Sequence, residues 1–187
     1  LKPIQNQSRV FEIGSISKVF TASVLASLVI EDKLNLNDPI NQYYPFAFNN
    51  DVNISFLDLA NHTAGLSRLP ENFEIKDQLN PYKNYREKEL NDYLEKELKI
   101  DSNAEKTYNY SNLGAGLLGH TLGLSEQQTF VELLRKQIFE KYQMRNSFTS
   151  PLGIENEFHL LSSLLPPRLL MMHGYLPGNL GSAIKAI

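Results

Sequence analysis

Ser15-Ile16-Ser17-Lys18 places a hydroxyl and an amine three residues apart, directly after Gly14 and ahead of a run of small and apolar residues. On a helix that spacing sets the Ser15 hydroxyl and the Lys18 amine on one face, a turn apart. An amine partly withdrawn from water loses affinity for its proton and can act as a general base near neutral pH. The N-terminal end of a helix also favours negative charge beside the serine. Nucleophile, base and anion-stabilising environment would then come from a single turn, and the chemistry they suit is acyl transfer through a covalent serine ester. The motif alone is weak: with 15 serines in 187 residues, about one S-x-x-K arises by chance, and Ser182-Ala183-Ile184-Lys185 is a second copy. The second copy lies near the end of the sequence with no long helix behind it.

Tyr110-Ser111-Asn112 is the second group of interest. A phenol beside an ammonium ionises more easily and can relay a proton. The Asn112 amide can orient a substrate and hydrogen-bond the lysine. A core-packing role for Tyr110 is the plain alternative, and Tyr82-Lys83-Asn84 repeats the Y-x-N pattern within a long loop.

Other chemistries are poorly served. No serine has the flanking glycines of a G-x-S-x-G elbow. The four histidines are isolated, without H-E-x-x-H or comparable ligand spacing, and there is no cysteine, so neither a metal site nor a thiol redox motif is expected. No metal and no organic cofactor is implied. The net charge of −3 with dispersed basic residues lacks the electrostatic footprint of a nucleic-acid binder. No apolar run approaches the ~20 residues that span a bilayer. The sequence opens Leu1-Lys2-Pro3, without a signal-like apolar stretch, and this reads as a mature, trimmed or incomplete chain.

The elements that must position these groups are mostly helical. A first helix begins at Gly14-Ser15, with Val19, Ala22, Leu25, Ala26 and Val29 as its expected inner stripe and Lys18 beside Ala22, Leu25 and Val29. Asp38-Pro39 opens a short helix toward Tyr44, and Ser55 caps another with Asp58 at the capping-box position. Residues 61–85 read as loop. Arg86 to Lys99 is a charged amphipathic helix with Leu90, Tyr93, Leu94 and Leu98 inside. Lys106 to Tyr110 is expected to be extended. Residues 111–122 form a helix rich in small residues (Gly114, Ala115, Gly116, Gly119), which predicts a close neighbour. A last helix is expected from Ser125 or Glu126 to about Tyr142, with Phe130, Leu133, Leu134 and Ile138 inside. After Ser150 the character changes: Leu160 to Met172 is strongly apolar around Pro166-Pro167, so residues 1–150 read as one partial domain and 151–187 as an atypical tail.

The segment Phe11 to Ala22 resembles the nucleophile segment of the class C β-lactamase-like serine hydrolases, a family that includes D-alanyl-D-alanine carboxypeptidases, penicillin-binding proteins and related esterases. Three further segments match in order. Leu34-Asn35-Leu36-Asn37-Asp38-Pro39-Ile40 resembles the family's L-x-L-x-D-P turn. Leu59-Ala60-Asn61-His62-Thr63-Ala64-Gly65-Leu66 is similar to its L-x-x-H-T-[SA]-G-L loop, and Tyr108 to Gly114 to its Y-S-N helix start. Met144 to Phe148 resembles the stretch after the next helix. The resemblance implies an α/β (α+β) fold, an antiparallel sheet flanked by helices beside a helical lobe, with this chain supplying mostly the lobe. It implies Ser15 as the acylated nucleophile, Lys18 and Tyr110 as the proton-transfer pair, Asn112 as a substrate and network ligand, and the Ser15 N–H as one arm of an oxyanion hole. His62 reads as a residue that holds its loop. The implied substrate is a small molecule or a peptidoglycan-like peptide (a β-lactam, a D-alanyl amide or an ester), and the implied setting is the bacterial periplasm or cell envelope.

Two family features have no clear counterpart. No K-[ST]-G occurs, and Met172-His173-Gly174 offers only a faint H-x-G candidate, His173 and Gly174, that arrives too soon after residue 150. The strands that should precede residue 10 are also missing. A truncated or altered product is one expectation, and a family member that binds ligands without turnover, or an inert remnant, is its functional counterpart.

Overall fold

The computed structural model describes residues 9–10, 13–76, 81–82, 84–100, 105–149 and 159–160. Their framework is a helical assembly around one apolar core. A single 3₁₀ turn, Gly14–Ile16, leads into α1 (Ser17–Ile30). Gly14 takes φ 51°, a conformation glycine adopts without steric cost, and this turns the chain sharply at the helix entrance. A 3₁₀ turn at Ile40–Tyr43 follows Pro39, which also bridges to Ser55 in an antiparallel pair. Helix α2 (Phe56–Ala60) carries the expected capping box: the Ser55 hydroxyl accepts the Asp58 N–H, and Asp58 reaches back to the Ser55 N–H.

Helix α3 (Glu87–Lys96) buries Leu90, Tyr93 and Leu94, with Leu98 buried just beyond its end. Helix α4 (Asn112–Ser125) is buried along nearly its whole length, from Asn112 to Gly123. Its small residues admit close neighbours. A Cβ on Gly123 would stand 2.8 Å from the Gln128 carbonyl oxygen, and one on Gly114 3.5 Å from Leu66. Helix α5 (Phe130–Leu134) is followed by a π-helical stretch, Arg135–Glu140. Arg9–Val10 (β1) and His159–Leu160 (β2) pair in parallel, Arg9 opposite His159.

The core joins Val24, Leu25 and Leu28 of α1, Phe56 and Leu59 of α2, Leu117, Leu118 and Leu122 of α4, and Phe130, Leu133 and Leu134 of α5. Each fully buried side chain of this size contributes roughly 1.5–3 kcal/mol by leaving water. The α1–α4 contact within this core brings the nucleophile segment against the Tyr110–Asn112 segment.

Two expectations are corrected. The inner face of α1 is Ser17, Thr21, Val24, Leu25 and Leu28, whereas Val19 is 63% exposed and Ala22 and Ala26 face solvent. The helix is small or apolar all round between Lys18 and Glu31, so periodicity selects no face; tertiary contacts do. The last helix does not begin at Ser125 or Glu126. Helix α4 extends through Ser125, and Thr129 caps α5 in a second capping box with Glu132. The residues it was expected to bury, Phe130, Leu133, Leu134 and Ile138, are buried. Apart from His159–Leu160, the tail after residue 149 lies outside the described residues, and with it His173, Gly174 and the Ser182–Lys185 motif; so does Lys83.

Candidate active site

Ser15 lies in the 3₁₀ turn with its side chain exposed, and Lys18 follows one turn later, half-buried. The Lys18 Nζ stands 3.5 Å from Ser15 Oγ and donates to Asn112 Oδ1 at 3.0 Å. The Tyr110 phenol donates to Ser15 Oγ at 2.7 Å. Lys18 Nζ also sits 4.6 Å from the centre of the Tyr110 ring. Four residues picked out by spacing, from segments more than ninety positions apart, therefore form one connected polar group. The neighbouring Ser17 is a different case: it is buried, and its hydroxyl donates to the Gly14 carbonyl at 2.7 Å, which fixes it as part of the turn.

The Tyr110–Asn112 segment is held by the loop after α2. The Asn112 and Leu113 N–H groups both donate to the Arg68 carbonyl, at 3.0 and 3.1 Å. The Ser111 hydroxyl donates to the Ser67 carbonyl at 2.6 Å and accepts the Gly114 N–H at 2.8 Å, so it caps α4. The Asn109 amide donates to the Leu66 carbonyl at 3.0 Å. His62 accepts the Ser111 N–H through Nδ1 at 3.2 Å, in keeping with its reading as a loop-holding residue.

Electrostatics of the group follow from this packing. Burial lowers the Lys18 amine below its usual value; contact with Tyr110 opposes this, and the Arg68 charge adds to it. For Tyr110, burial pushes the phenol up. The hydrogen bonds with Lys18 and Ser15 and the charges of Lys18 and Arg68 outweigh that, and the net shift is downward. An amine that gives up its proton more easily and a phenol that ionises more easily are matched for sharing one proton.

Sequence reasoning did not single out Arg68 or Lys106. The Arg68 guanidinium lies 5.5 Å from the Tyr110 ring centre, on the exposed rim of the site. Its place shortly after the H-T-A-G-L loop was the available signal. Lys106 donates to both carboxylate oxygens of Asp58, at 2.7 and 2.8 Å, and so ties the stretch leading to Tyr110 back to α2. Asp58 is only 10% exposed on its side chain, against 68% for Lys106. Burial alone would raise the Asp58 carboxyl, but hydrogen bonds from Lys106 and Ser55 hold it below its usual value of 3.8. A depressed folded-state pKa contributes stability above the unfolded value and loses it as pH falls through the folded one. Asp58→Asn is therefore expected to cost about 1–3 kcal/mol at pH 7. The deficit should shrink as wild type is acidified below pH 3.8. Denaturant midpoints across that range measure both effects.

Among the described residues there is no cluster of three or more histidine, aspartate or glutamate side chains placed to hold a metal, and no helix long and apolar enough to cross a membrane.

Comparison with solved structures places this arrangement. A class C β-lactamase in complex with cefoxitin superposes with TM-score 0.65 at 26% identity, covering 84% of this chain and 42% of that one. A β-lactamase/D-alanine carboxypeptidase from Yersinia pestis complexed with citrate gives TM-score 0.61 at 25% identity over 75% of this chain and 41% of that one. The fold is thus that of the β-lactamase/transpeptidase class, and the helices described here are its helical lobe. The Beta-lactamase family profile matches residues 5–157, and a β-lactamase of Pseudomonas fluorescens is 33% identical over 147 residues, 77% of this chain. The chain belongs to the beta-lactamase family. It spans 35% and 38% of the length of two curated relatives.

Proposed function

We propose that the protein acts as a serine hydrolase, with Ser15 attacking an acyl carbon and carrying it as an ester until water releases it. The observation that supports this reading most strongly is the 2.7 Å contact between the Tyr110 phenol and Ser15 Oγ, with the Lys18 amine 3.5 Å from the same oxygen and bonded to Asn112. The Lys18–Tyr110 pair shares a proton, as ammonium with phenolate or amine with phenol. In either form one member takes the proton of Ser15 as its oxygen bonds the acyl carbon, and returns it to the departing amine or alkoxide. The Ser15 N–H, at the helix start, would serve as one oxyanion donor. Asn112 fixes the Lys18 amine and offers its amide N–H₂ to the substrate.

The substrate reading is a β-lactam, a D-alanyl amide or an ester, small or peptidoglycan-like, met in a bacterial envelope. The second reading is a member that binds such ligands without turnover. Loss of a single oxyanion donor elsewhere in the protein would cost ~10²–10³ in rate.

A labelled penicillin and a p-nitrophenyl ester series separate these outcomes. A stable penicillin adduct is the result of a penicillin-binding protein or carboxypeptidase, and an adduct lost with release of hydrolysed drug is that of a β-lactamase. Ester hydrolysis without a penicillin adduct marks an esterase. Reversible penicillin binding with no adduct and no ester hydrolysis contradicts the hydrolase reading and supports the second.

A further inference from the structure

Residue 62 touches the segment carrying Tyr110 from both sides of that residue. Its backbone carbonyl accepts the Asn109 N–H at 2.8 Å, and its Nδ1 accepts the Ser111 N–H at 3.2 Å. Between those two bonds the imidazole lies against the Tyr110 ring, centroids 4.9 Å apart and planes 38° apart, and edge-on to Tyr108 at 5.8 Å. The backbone of His62 takes φ 58°, in the left-handed region that costs a non-glycine residue energy unless its surroundings hold it there. Here they do: the His62 N–H bonds the Leu59 carbonyl and the Thr63 N–H the Asp58 carbonyl.

We propose that His62 is a positioning residue for Tyr110 and an acid-labile link in the site: its neutral ring holds the phenol toward Ser15, and protonation of Nδ1 breaks its bond to the Ser111 N–H beside Tyr110. The proposal rests on the reading of Ser15 and Tyr110 given above. An imidazole that accepts at Nδ1 carries its hydrogen on Nε2, and an imidazolium has no lone pair left to accept. Protonation would therefore replace the Ser111 bond with two N–H groups facing each other, and would set a second cation near the Lys18 ammonium. A loop-holding residue with no link to the chemistry would produce neither effect on the reaction's pH dependence.

The charged and titratable groups around His62 are few. Lys18 approaches from α1 and Arg68 from the same loop, each over the Tyr110 ring, and the Lys18 charge opposes a further positive charge on the imidazole. Tyr108 and Tyr110 flank the imidazole. Asp58 of α2 lines the same crevice as His62 and would favour protonation, but its carboxylate is engaged by Lys106. Burial first, then the Lys18 charge, lowers the imidazole below its usual 6.5. The ring is thus neutral at neutral pH and the link opens only in acid.

The test combines nitrogen NMR with kinetics. In the ¹⁵N-labelled wild type, His62 should show an unprotonated Nδ1, a protonated Nε2 and a midpoint below 6.5. Core-buried His120, lowered to about 4, gives an internal comparison. Asparagine tolerates positive φ and can present Oδ1 where Nδ1 stood. His62→Asn should acylate Ser15 at pH 7 within about threefold of wild type while losing the acid-side inflection assigned to the imidazole. His62→Phe keeps a ring without an acceptor and should acylate about tenfold more slowly or worse, chiefly in kcat. The NMR and His62→Asn arms stand even if the phenylalanine variant does not fold.

An Nδ1–H tautomer, a midpoint above 6.5, or a His62→Asn profile identical to wild type would overturn the proposal alone. A wild-type Ser15 acylated by neither an ester nor a penicillin at any pH overturns the hydrolase reading, and this proposal falls with it.

Discussion

Ser15→Ala is expected to slow reaction with activated esters by at least about a thousandfold, and to leave the melting temperature nearly unchanged. Removing the nucleophile of a serine hydrolase costs about 10⁶ where it has been measured, and only binding and oxyanion contributions survive. The exposed Ser15 side chain adds no buried apolar surface, so stability has little to lose. Neighbouring hydroxyls cannot take over. Ser17 Oγ is buried and donates to the Gly14 carbonyl, and Ser111 Oγ is held between the Ser67 carbonyl and the Gly114 N–H. Burst kinetics with a p-nitrophenyl ester measure the loss, and a variant retaining a tenth of the wild-type burst rate would contradict it.

Lys18→Met is the second large effect, with an expected loss of about 10²–10⁴ in acylation rate. Methionine keeps much of the buried stem while removing the charge, so the change reports on proton handling more than packing. The pH dependence should move as well. In the wild type the Lys18–Tyr110 pair releases its shared proton more readily than a free phenol or amine, whose usual values are 10.0 and 10.5, and the rate should rise with pH through that release. Without Lys18, the burial that raises the Tyr110 phenol is opposed only by Ser15 and Arg68. The rise should therefore shift to higher pH. Lys18→Arg should not rescue the rate, because a guanidinium does not surrender a proton in this range and cannot reproduce a single-point contact to Asn112. Rate–pH profiles of the three proteins decide the matter; an unshifted rise in Lys18→Met would place the essential base elsewhere.

Local chemistry in the sequence foretold much of the framework. Ser55 and Asp58 form the capping box their spacing implies, and Leu90, Tyr93 and Leu94 face inward on α3. Each of these depends on residues within a turn or two. The inner face of α1 was not legible, because a helix apolar on every side carries no directional information. Thr129-x-x-Glu132 is a legible capping box, and it, not Ser125 or Glu126, marks the start of α5. At the site, spacing alone paired Ser15 with Lys18, whereas the grouping of Tyr110 and Asn112 with them was what the family resemblance implied; the four side chains stand together. Arg68 and the Lys106–Asp58 pair were not legible. Their roles arise from contacts between distant segments: Asp58 and Lys106 are 48 positions apart, and neither residue type is unusual in its own neighbourhood.

The most direct measurement is the location of the covalent adduct. Trypsin cleavage after Arg9 and Lys18 yields a peptide, Val10 to Lys18, that holds both Ser15 and Ser17. After quenched reaction with an activated ester or a labelled penicillin, fragment-ion mass spectrometry should put the acyl mass on Ser15 within that peptide. An acyl group found instead on Ser17, on Ser182 or on a lysine amine, or no adduct at all on folded protein, would contradict the account.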